Sequence, residues 1–122
     1  DLPGGGKDRV TCRIAAAVPF IVMKGMALAD RMKEKDAWDI YYCLTHHPGG
    51  IEQLVEEFGI YIDNGLVREG LSKISEKFAS PGHVGPKHVA DFEAVTDREE
   101  REALQRDAFE RVNYLLEKLG IR

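Results

Sequence analysis

The stretch that decides the fold is FIVMKGMALADRMKEKDAWDIYYCL, residues 20–44. It is rich in residues that favour helices, and its apolar side chains recur at helical spacing on either side of a short charged link at residues 33–35. Pro19 suits the first position of a helix, and Asp36 suits the N-cap of the next one. The stretch therefore predicts two consecutive helices, over residues 20–32 and 37–44.

The rest of the sequence predicts three more helices and one strand. Apolar side chains at helical spacing indicate helices over residues 51–58 and 66–78. Thr96 and Glu99 match a capping box that opens a last helix, which Gly120 ends at its C′ position. The Pro- and Gly-rich residues 80–86 predict a loop. Residues 9–14 alternate between polar and apolar, which predicts a short strand after a flexible lead at residues 1–8.

Together these elements predict an all-α or nearly all-α fold, with about five helices in a compact bundle and one short N-terminal strand. The expected single helical domain covers residues 9–122, which agrees with a length of 122 residues. Hydrophobic residues make up 43% of the chain and charged residues 31%, a composition typical of a folded globular domain. No apolar run is long enough to span a membrane.

Charge and cysteine content narrow the expected function. The net charge is −4, but residues 1–50 carry seven basic and six acidic side chains, so chemistry directed at anions is expected in this part. Cys12 and Cys43 show no disulfide framework or metal-binding spacing, and no secretory signal is present. We therefore expect a cytoplasmic location, no metal held by this chain alone and no membrane association. The chain begins without Met, which suggests a piece of a longer protein.

The densest group of charged residues lies on the first two predicted helices. It consists of Lys24, Asp30, Arg31, Lys33, Lys35, Asp36 and Asp39. Lys24 and Arg31 are two helical turns apart and share a face, as do Asp36 and Asp39. In a helical hairpin the cations would meet the carboxylates, an arrangement that suits phosphates and a metal-bound nucleotide. Structural roles remain an alternative, with Lys24 as a surface lysine, Asp36 as an N-cap and Arg31 with Asp39 as an ion pair.

Aromatic residues accompany this charged group. Trp38, Tyr41 and Tyr42 lie beside the basic link and could stack on a nucleobase. The same spacing on a helix is more typical of core residues. The sequence leaves both interpretations open.

Residues 20–40 resemble a signature of a known family. Their pattern, K-x-x-A-L-x-x-R-x-x-x-K-D-x-x-D-I after an apolar start, is similar to that in the later part of the AbiEii/AbiGii nucleotidyltransferases, the toxins of bacterial type IV toxin–antitoxin systems. The resemblance implies a polymerase-β-like nucleotidyltransferase that transfers a nucleoside monophosphate from an NTP to an acceptor, with tRNA 3′ ends as one acceptor. It is close over about twenty residues and covers the rest of the chain only in outline.

The resemblance also implies roles for individual residues. Lys24 would lie near the triphosphate and Asp36 would be the catalytic-site carboxylate, while Arg31, Lys35 and Asp39 would bind substrate. In such an enzyme paired Mg²⁺ ions hold the attacking and leaving oxygens. The resemblance implies four partners of the intact protein: an NTP, tRNA, an antitoxin protein and a second copy of the chain.

One part of the family pattern is missing. Members carry an earlier Gly-Ser motif followed by a D-x-D metal pair, and residues 1–23 contain neither. We therefore expect this chain to be the C-terminal part of such a protein and to be inactive alone. The alternative is a non-catalytic helical interaction module that self-associates or binds a partner protein.

Overall fold

The computed structural model describes the backbone of residues 14–122 and the side chains from residue 17 onward. Six α-helices fill this range: α1 (Ile14–Arg31), α2 (Glu34–His46), α3 (Gly50–Ile60), α4 (Gly65–Lys77), α5 (Val84–Phe92) and α6 (Arg98–Lys118). The described range contains no strand, which confirms the predicted all-helical bundle. The strand predicted over residues 9–14 lies outside the described residues, except for Ile14, which begins α1.

The helices surround one contiguous hydrophobic core. α1 packs mainly on α4 and α2, while α5 joins α2 to α6. The largest fully buried side chains include Phe58, Phe78, Ile21, Leu28, Ile40 and Leu115. Their burial provides most of the stabilisation, at roughly 25 cal/mol per Å² of apolar surface removed from water. None of the described helices is both long enough and apolar enough to cross a membrane.

α1 and α4 approach each other closely at two glycines. A Cβ atom added to Gly70 would lie 2.8 Å from the Val22 side chain and 3.2 Å from the Val22 backbone. A Cβ added to Gly25 would lie 2.7 Å from the Ile74 side chain. Neither distance leaves room for a side chain, so the close packing of these two helices requires both glycines.

The first helix differs from its prediction at its start. Pro19 was expected to open it, but α1 begins at Ile14 and contains Pro19. Pro19 lacks the N–H that would bond the carbonyl of Ala15, within the first two turns of the described helix. The preceding apolar residues therefore continue the helix through the proline.

A sixth helix, α5, begins inside the predicted loop at residues 80–86. The sequence pattern did not indicate it. α5 starts at Val84, so Gly85 and Pro86 fall in its first turn, where a missing N–H leaves no intrahelical bond unmade. Gly85 is also needed there because a Cβ would lie 2.6 Å from the Phe78 ring. Glycine and proline, which are typical of loops, can therefore also occupy the first turn of a helix, as Gly85 and Pro86 do here.

The last helix is capped one residue later than predicted. Its N-cap is Asp97, whose side chain accepts a hydrogen bond of 3.0 Å from the Glu100 N–H, so the capping box predicted at Thr96 and Glu99 is wrong by one position. The predicted end is confirmed. Gly120 adopts φ 78°, and the N–H of Ile121 reaches the Leu116 carbonyl at 2.9 Å.

A similar C-terminal motif ends α5, but with alanine in the position that glycine favours. Ala94 has φ 57°, its N–H bonds the Asp91 carbonyl at 3.0 Å, and the next N–H bonds the Ala90 carbonyl at 3.2 Å. A left-handed conformation costs a residue with a Cβ about 1–2 kcal/mol, and part of the gain from glycine is lost to its freer unfolded state.

We therefore expect Ala94→Gly to raise the free energy of unfolding by about 0.5–1 kcal/mol. The reverse change at the equivalent position, Gly120→Ala, is the matched control and should lower it by about 1 kcal/mol. Urea denaturation followed by circular dichroism measures both values. An Ala94→Gly variant less stable than the parent chain would contradict this account of the α5 terminus.

Candidate functional site

The charged cluster is assembled by a tight reversal between α1 and α2. Met32 ends α1 with φ 56°, and its N–H bonds the Leu28 carbonyl at 2.9 Å, which stops the helix at Arg31. α2 then starts at Glu34, and the two helices pack together as a hairpin. This reversal brings one face of α1 against the first turns of α2.

Asp36 is the centre of the cluster and is 1% exposed. Arg31 Nη2 donates to both of its carboxylate oxygens, at 2.9 and 3.0 Å. Lys24 Nζ donates to Asp36 Oδ1 at 3.3 Å. Because each bond joins a cation to a carboxylate, these hydrogen bonds are stronger than those between neutral groups.

Asp39 forms the second half of the cluster, one helical turn after Asp36. Lys24 Nζ lies 2.9 Å from Asp39 Oδ2, so this ammonium bridges both carboxylates. Lys35 Nζ donates to the two Asp39 oxygens at 3.1 and 3.0 Å. Both buried carboxylates are thereby held by cations.

The electrostatics of the cluster favour a protonated Lys24. Burial by itself lowers the pKa of the Lys24 ammonium, but the hydrogen bonds and charges of Asp39 and Asp36 outweigh this effect and raise the pKa above its ordinary value. Three cations face two carboxylates, so the cluster carries a formal charge of +1. The side chains of Arg31 and Lys35 are 52% and 62% exposed, and that of Lys24 is 17% exposed.

All five residues predicted for the site therefore meet in one place: Lys24, Arg31, Lys35, Asp36 and Asp39. Asp30 and Lys33, from the wider charged group, are exposed. The N-cap role predicted for Asp36 is wrong, since Lys33 occupies the N-cap and Asp36 lies in the first turn, turned towards α1. The alternative ion pair between Arg31 and Asp39 also differs from the structure, in which Arg31 bonds Asp36.

The described residues do not fit the Mg²⁺ ions that the resemblance implies for the intact protein. Residues 14–122 contain no group of three or more His, Cys, Asp or Glu side chains placed to hold a metal. The oxygens of Asp36 and Asp39 already accept hydrogen bonds from Lys24, Arg31 and Lys35.

The three aromatic residues beside the cluster separate into two groups. The Tyr41 hydroxyl donates to Asp107 at 2.5 Å, and burial together with this carboxylate raises the pKa of Tyr41. Trp38 packs partly on the core, whereas Tyr42 is exposed. The core interpretation therefore applies to Tyr41 and in part to Trp38. His46, which the sequence did not single out as a member of this group, stacks on Tyr42 and could have been found by its i, i+4 spacing.

A second buried polar pair was also missed. His47 and Glu57 are both buried, with His47 Nε2 at 3.2 Å from Glu57 Oε2, and Gln53 donates to the same oxygen at 3.2 Å. His47 is the C-cap of α2 and Glu57 lies on α3, so the pair joins these two helices. The sequence does not indicate this pair, because it depends on how α2 packs on α3. Its sequence neighbour, His46, is exposed.

No protein-family model, curated protein or solved structure matches the chain.

Proposed function

We propose that this chain is the C-terminal helical part of a nucleotidyltransferase of the AbiEii/AbiGii type, and that its charged cluster binds the phosphates of an NTP. The observation that supports this proposal is the cluster itself. The α1–α2 hairpin brings together the five side chains that the resemblance singled out, with a net positive charge and two exposed cations. Ammonium and guanidinium groups so placed suit phosphoryl oxygens.

Each side chain has a distinct part in this proposal. Arg31 and Lys35, the exposed cations, would contact the phosphates first. Asp36 and Asp39 would hold all three cations in position, and Lys24, fixed between both carboxylates, would lie closest to the reacting phosphate. In phosphoryl transfer such cations stabilise charge on the transferred group.

The proposal extends to the intact protein. There the residues of this chain would form one side of a cleft, while the missing metal-binding carboxylates and the Mg²⁺ ions would belong to a preceding domain. The acceptor could be the 3′ end of a tRNA, and an antitoxin protein would regulate the enzyme in the cytoplasm. This chain alone would bind nucleotide weakly and transfer nothing.

Nucleotide binding by the chain tests the proposal directly. We expect a titration with each of the four common NTPs, followed by calorimetry, to show binding that the double variant Arg31→Ala/Lys35→Ala weakens at least about tenfold. Lys24 still contacts Asp36 and Asp39 in the double variant, but each buried carboxylate loses a partner, so the melting temperature should fall. Binding is therefore compared at a temperature at which circular dichroism shows a folded variant. Neutralising two exposed cations of α6, in Arg98→Ala/Lys118→Ala, controls for net charge. Equal affinities in both double variants would contradict the proposal.

The alternative function is a non-catalytic helical interaction module. It is favoured by the pairing within the cluster, because Lys24, Arg31 and Lys35 each already have a carboxylate partner. Lys24 and Arg31 could serve only to fasten α1 to α2, and Lys35 only to form an ion pair within α2. Such a module would self-associate or bind another protein. A chain that forms dimers in sedimentation equilibrium and shows no heat of binding at millimolar NTP would support this alternative.

A further inference from the structure

α1 and α4 form a groove that shares no side chain with the charged cluster. Nine residues line it, five from α1, two from the turn between α3 and α4, and two from α4. Its volume is about 560 Å³, within the range of about 300–1,000 Å³ that is typical of small-molecule sites. We call it the α1–α4 groove.

Three buried valines form the floor of the α1–α4 groove. Val18 and Val22 come from α1 and Val67 from α4, and none of them is more than 8% exposed. Their β-branched side chains are stiff, and Val22 also lies at the close contact with Gly70. The floor is therefore fixed by the packing of the two helices.

The rim of the α1–α4 groove is apolar and exposed. Met23 is 56% exposed, Tyr61 52% and Leu66 63%, although all three are large hydrophobic side chains. Exposed apolar side chains gathered around a concave surface indicate a binding site. The groove combines such a rim with a buried floor.

The size and the surroundings of the groove favour a small molecule over a protein as its ligand. A stable protein interface uses about 20–30 residues from each partner, whereas nine residues line the groove. Three charged and exposed residues adjoin the lining residues in the sequence: Asp63, Arg68 and Glu69. Charged side chains therefore interrupt the apolar surface beside the groove.

The lining side chains indicate the chemistry of the ligand. None of the nine is charged, and an ionised group loses much free energy when it is buried without a partner, so the ligand should be uncharged. The thioethers of Met23 and Met26 make favourable contacts with aromatic rings, and Tyr61 adds a ring of its own. The flexible methionines also adapt to the shape of a ligand.

The turn between α3 and α4 supplies two polar groups to the groove. The Tyr61 hydroxyl and the Asn64 side-chain nitrogen have no hydrogen-bond partner within residues 17–122. Asn64 Oδ1 instead caps α4, where it accepts from the N–H groups of Leu66 and Val67 at 2.9 and 3.1 Å. This cap holds the Asn64 side chain in place, so that its nitrogen can donate to a ligand.

We propose that the α1–α4 groove binds an uncharged aromatic small molecule. Its ring would lie on the valine floor beside Met23 and Met26, and one polar group would bond the Tyr61 hydroxyl or the Asn64 amide. This site is separate from the phosphate site proposed above, and it would bind its ligand with no NTP present.

The three methionines of the chain allow a direct test, because Met23 and Met26 line the groove and Met32 does not. In a chain isotope-labelled at the methionine methyl groups, we expect the uncharged probe 1-naphthol to shift the NMR signals of Met23 and Met26. The shifts should saturate with a dissociation constant of about 1 mM or below, while the Met32 signal stays in place. Replacing each methionine in turn by leucine assigns the signals. Equal shifts of all three signals, or shifts that do not saturate, would overturn the proposal.

A charged analogue of the probe tests the chemistry of the ligand. 1-Naphthalenesulfonate has the same rings with a negative charge, which no lining residue can pair. We expect it to bind at least about fivefold more weakly than 1-naphthol. Equal affinity for the two probes would contradict an uncharged ligand.

Variants locate the binding site. Leu66→Gln removes part of the apolar rim and should weaken 1-naphthol binding at least about threefold. Ile60→Gln changes an exposed apolar residue that does not line the groove, and it should bind as the parent chain does. If both variants bind like the parent chain, the groove is not the site. A dimer that Leu66→Gln separates, in a chain that does not bind 1-naphthol, would show that a second copy covers the groove and would overturn the proposal equally.

Discussion

The Asp36→Ala variant is expected to lose about 3 kcal/mol of its free energy of unfolding. The Asp36 carboxylate is almost fully buried and holds both Arg31 and Lys24. Its removal leaves Lys24, which is largely buried, with Asp39 as its remaining carboxylate partner. Removing one member of a buried ion pair typically costs about 3–5 kcal/mol, and the contact that Lys24 keeps with Asp39 places the loss near the lower limit.

Urea denaturation of the variant at neutral pH measures this loss. Asp30→Ala is the matched control, since Asp30 is an exposed carboxylate near the end of α1 and its loss should change stability by no more than about 0.5 kcal/mol. A loss at Asp36 no larger than that of the control would show that the ion pairs around Asp36 do not stabilise the fold.

The burial of Asp36 also decides which variants can separate a catalytic role from a structural one. Substitution of Asp36 destabilises the fold under either role, so an inactive and unstable protein would be uninformative. Arg31 and Lys35 have exposed side chains, and Lys24 stays in contact with both carboxylates when they are removed, so their removal should destabilise the fold less than the loss of Asp36. The exposed members of the cluster are therefore the ones that test its function.

The sequence predicts most of the helices because their apolar stripes are periodic, as in α4 and α6. Prediction failed where a residue has two possible structural roles. Pro19 was expected to open a helix and Pro86 to lie in a loop, yet Pro19 lies inside α1 and Pro86 lies in the first turn of α5. Asp36 could cap a helix or pair with a cation, and the choice depends on α1 lying close enough to supply Lys24 and Arg31.

The members of the candidate site were predictable, but their pairing was not. Spacing along each helix places Lys24 with Arg31 and Asp36 with Asp39, and any hairpin then brings cations to carboxylates. That Arg31 bonds Asp36 rather than Asp39 depends on the geometry of the Met32 reversal. Spacing could not show that Tyr41 faces α6 while Tyr42 faces solvent, because this depends on the position of Asp107 in the fold.

The second large effect is expected for Gly70→Val, at a close contact between α1 and α4. α1 carries Lys24 and Arg31, and its distance from α4 is set at Gly70, where a Cβ would lie 2.8 Å from Val22 Cγ1 and 3.2 Å from the Val22 backbone. The side chain of Val22 is stiff because it is β-branched, so α1 itself must move. Overpacking of this kind typically costs 1–3 kcal/mol, and three added carbons on a backbone contact place the loss at about 3 kcal/mol.

Gly59→Val in α3 makes the same substitution at a helical glycine with no atom within 4 Å of an added Cβ. It should change the free energy of unfolding by no more than about 0.5 kcal/mol, because valine is a slightly better helix former than glycine. Urea denaturation of both variants gives the comparison. Because α1 must shift away from α4 in Gly70→Val, this variant should also bind NTP more weakly than Gly59→Val wherever both are folded. Equal stability of the two variants would mean that the α1–α4 contact can widen without cost, and that α4 does not set the position of Lys24 and Arg31.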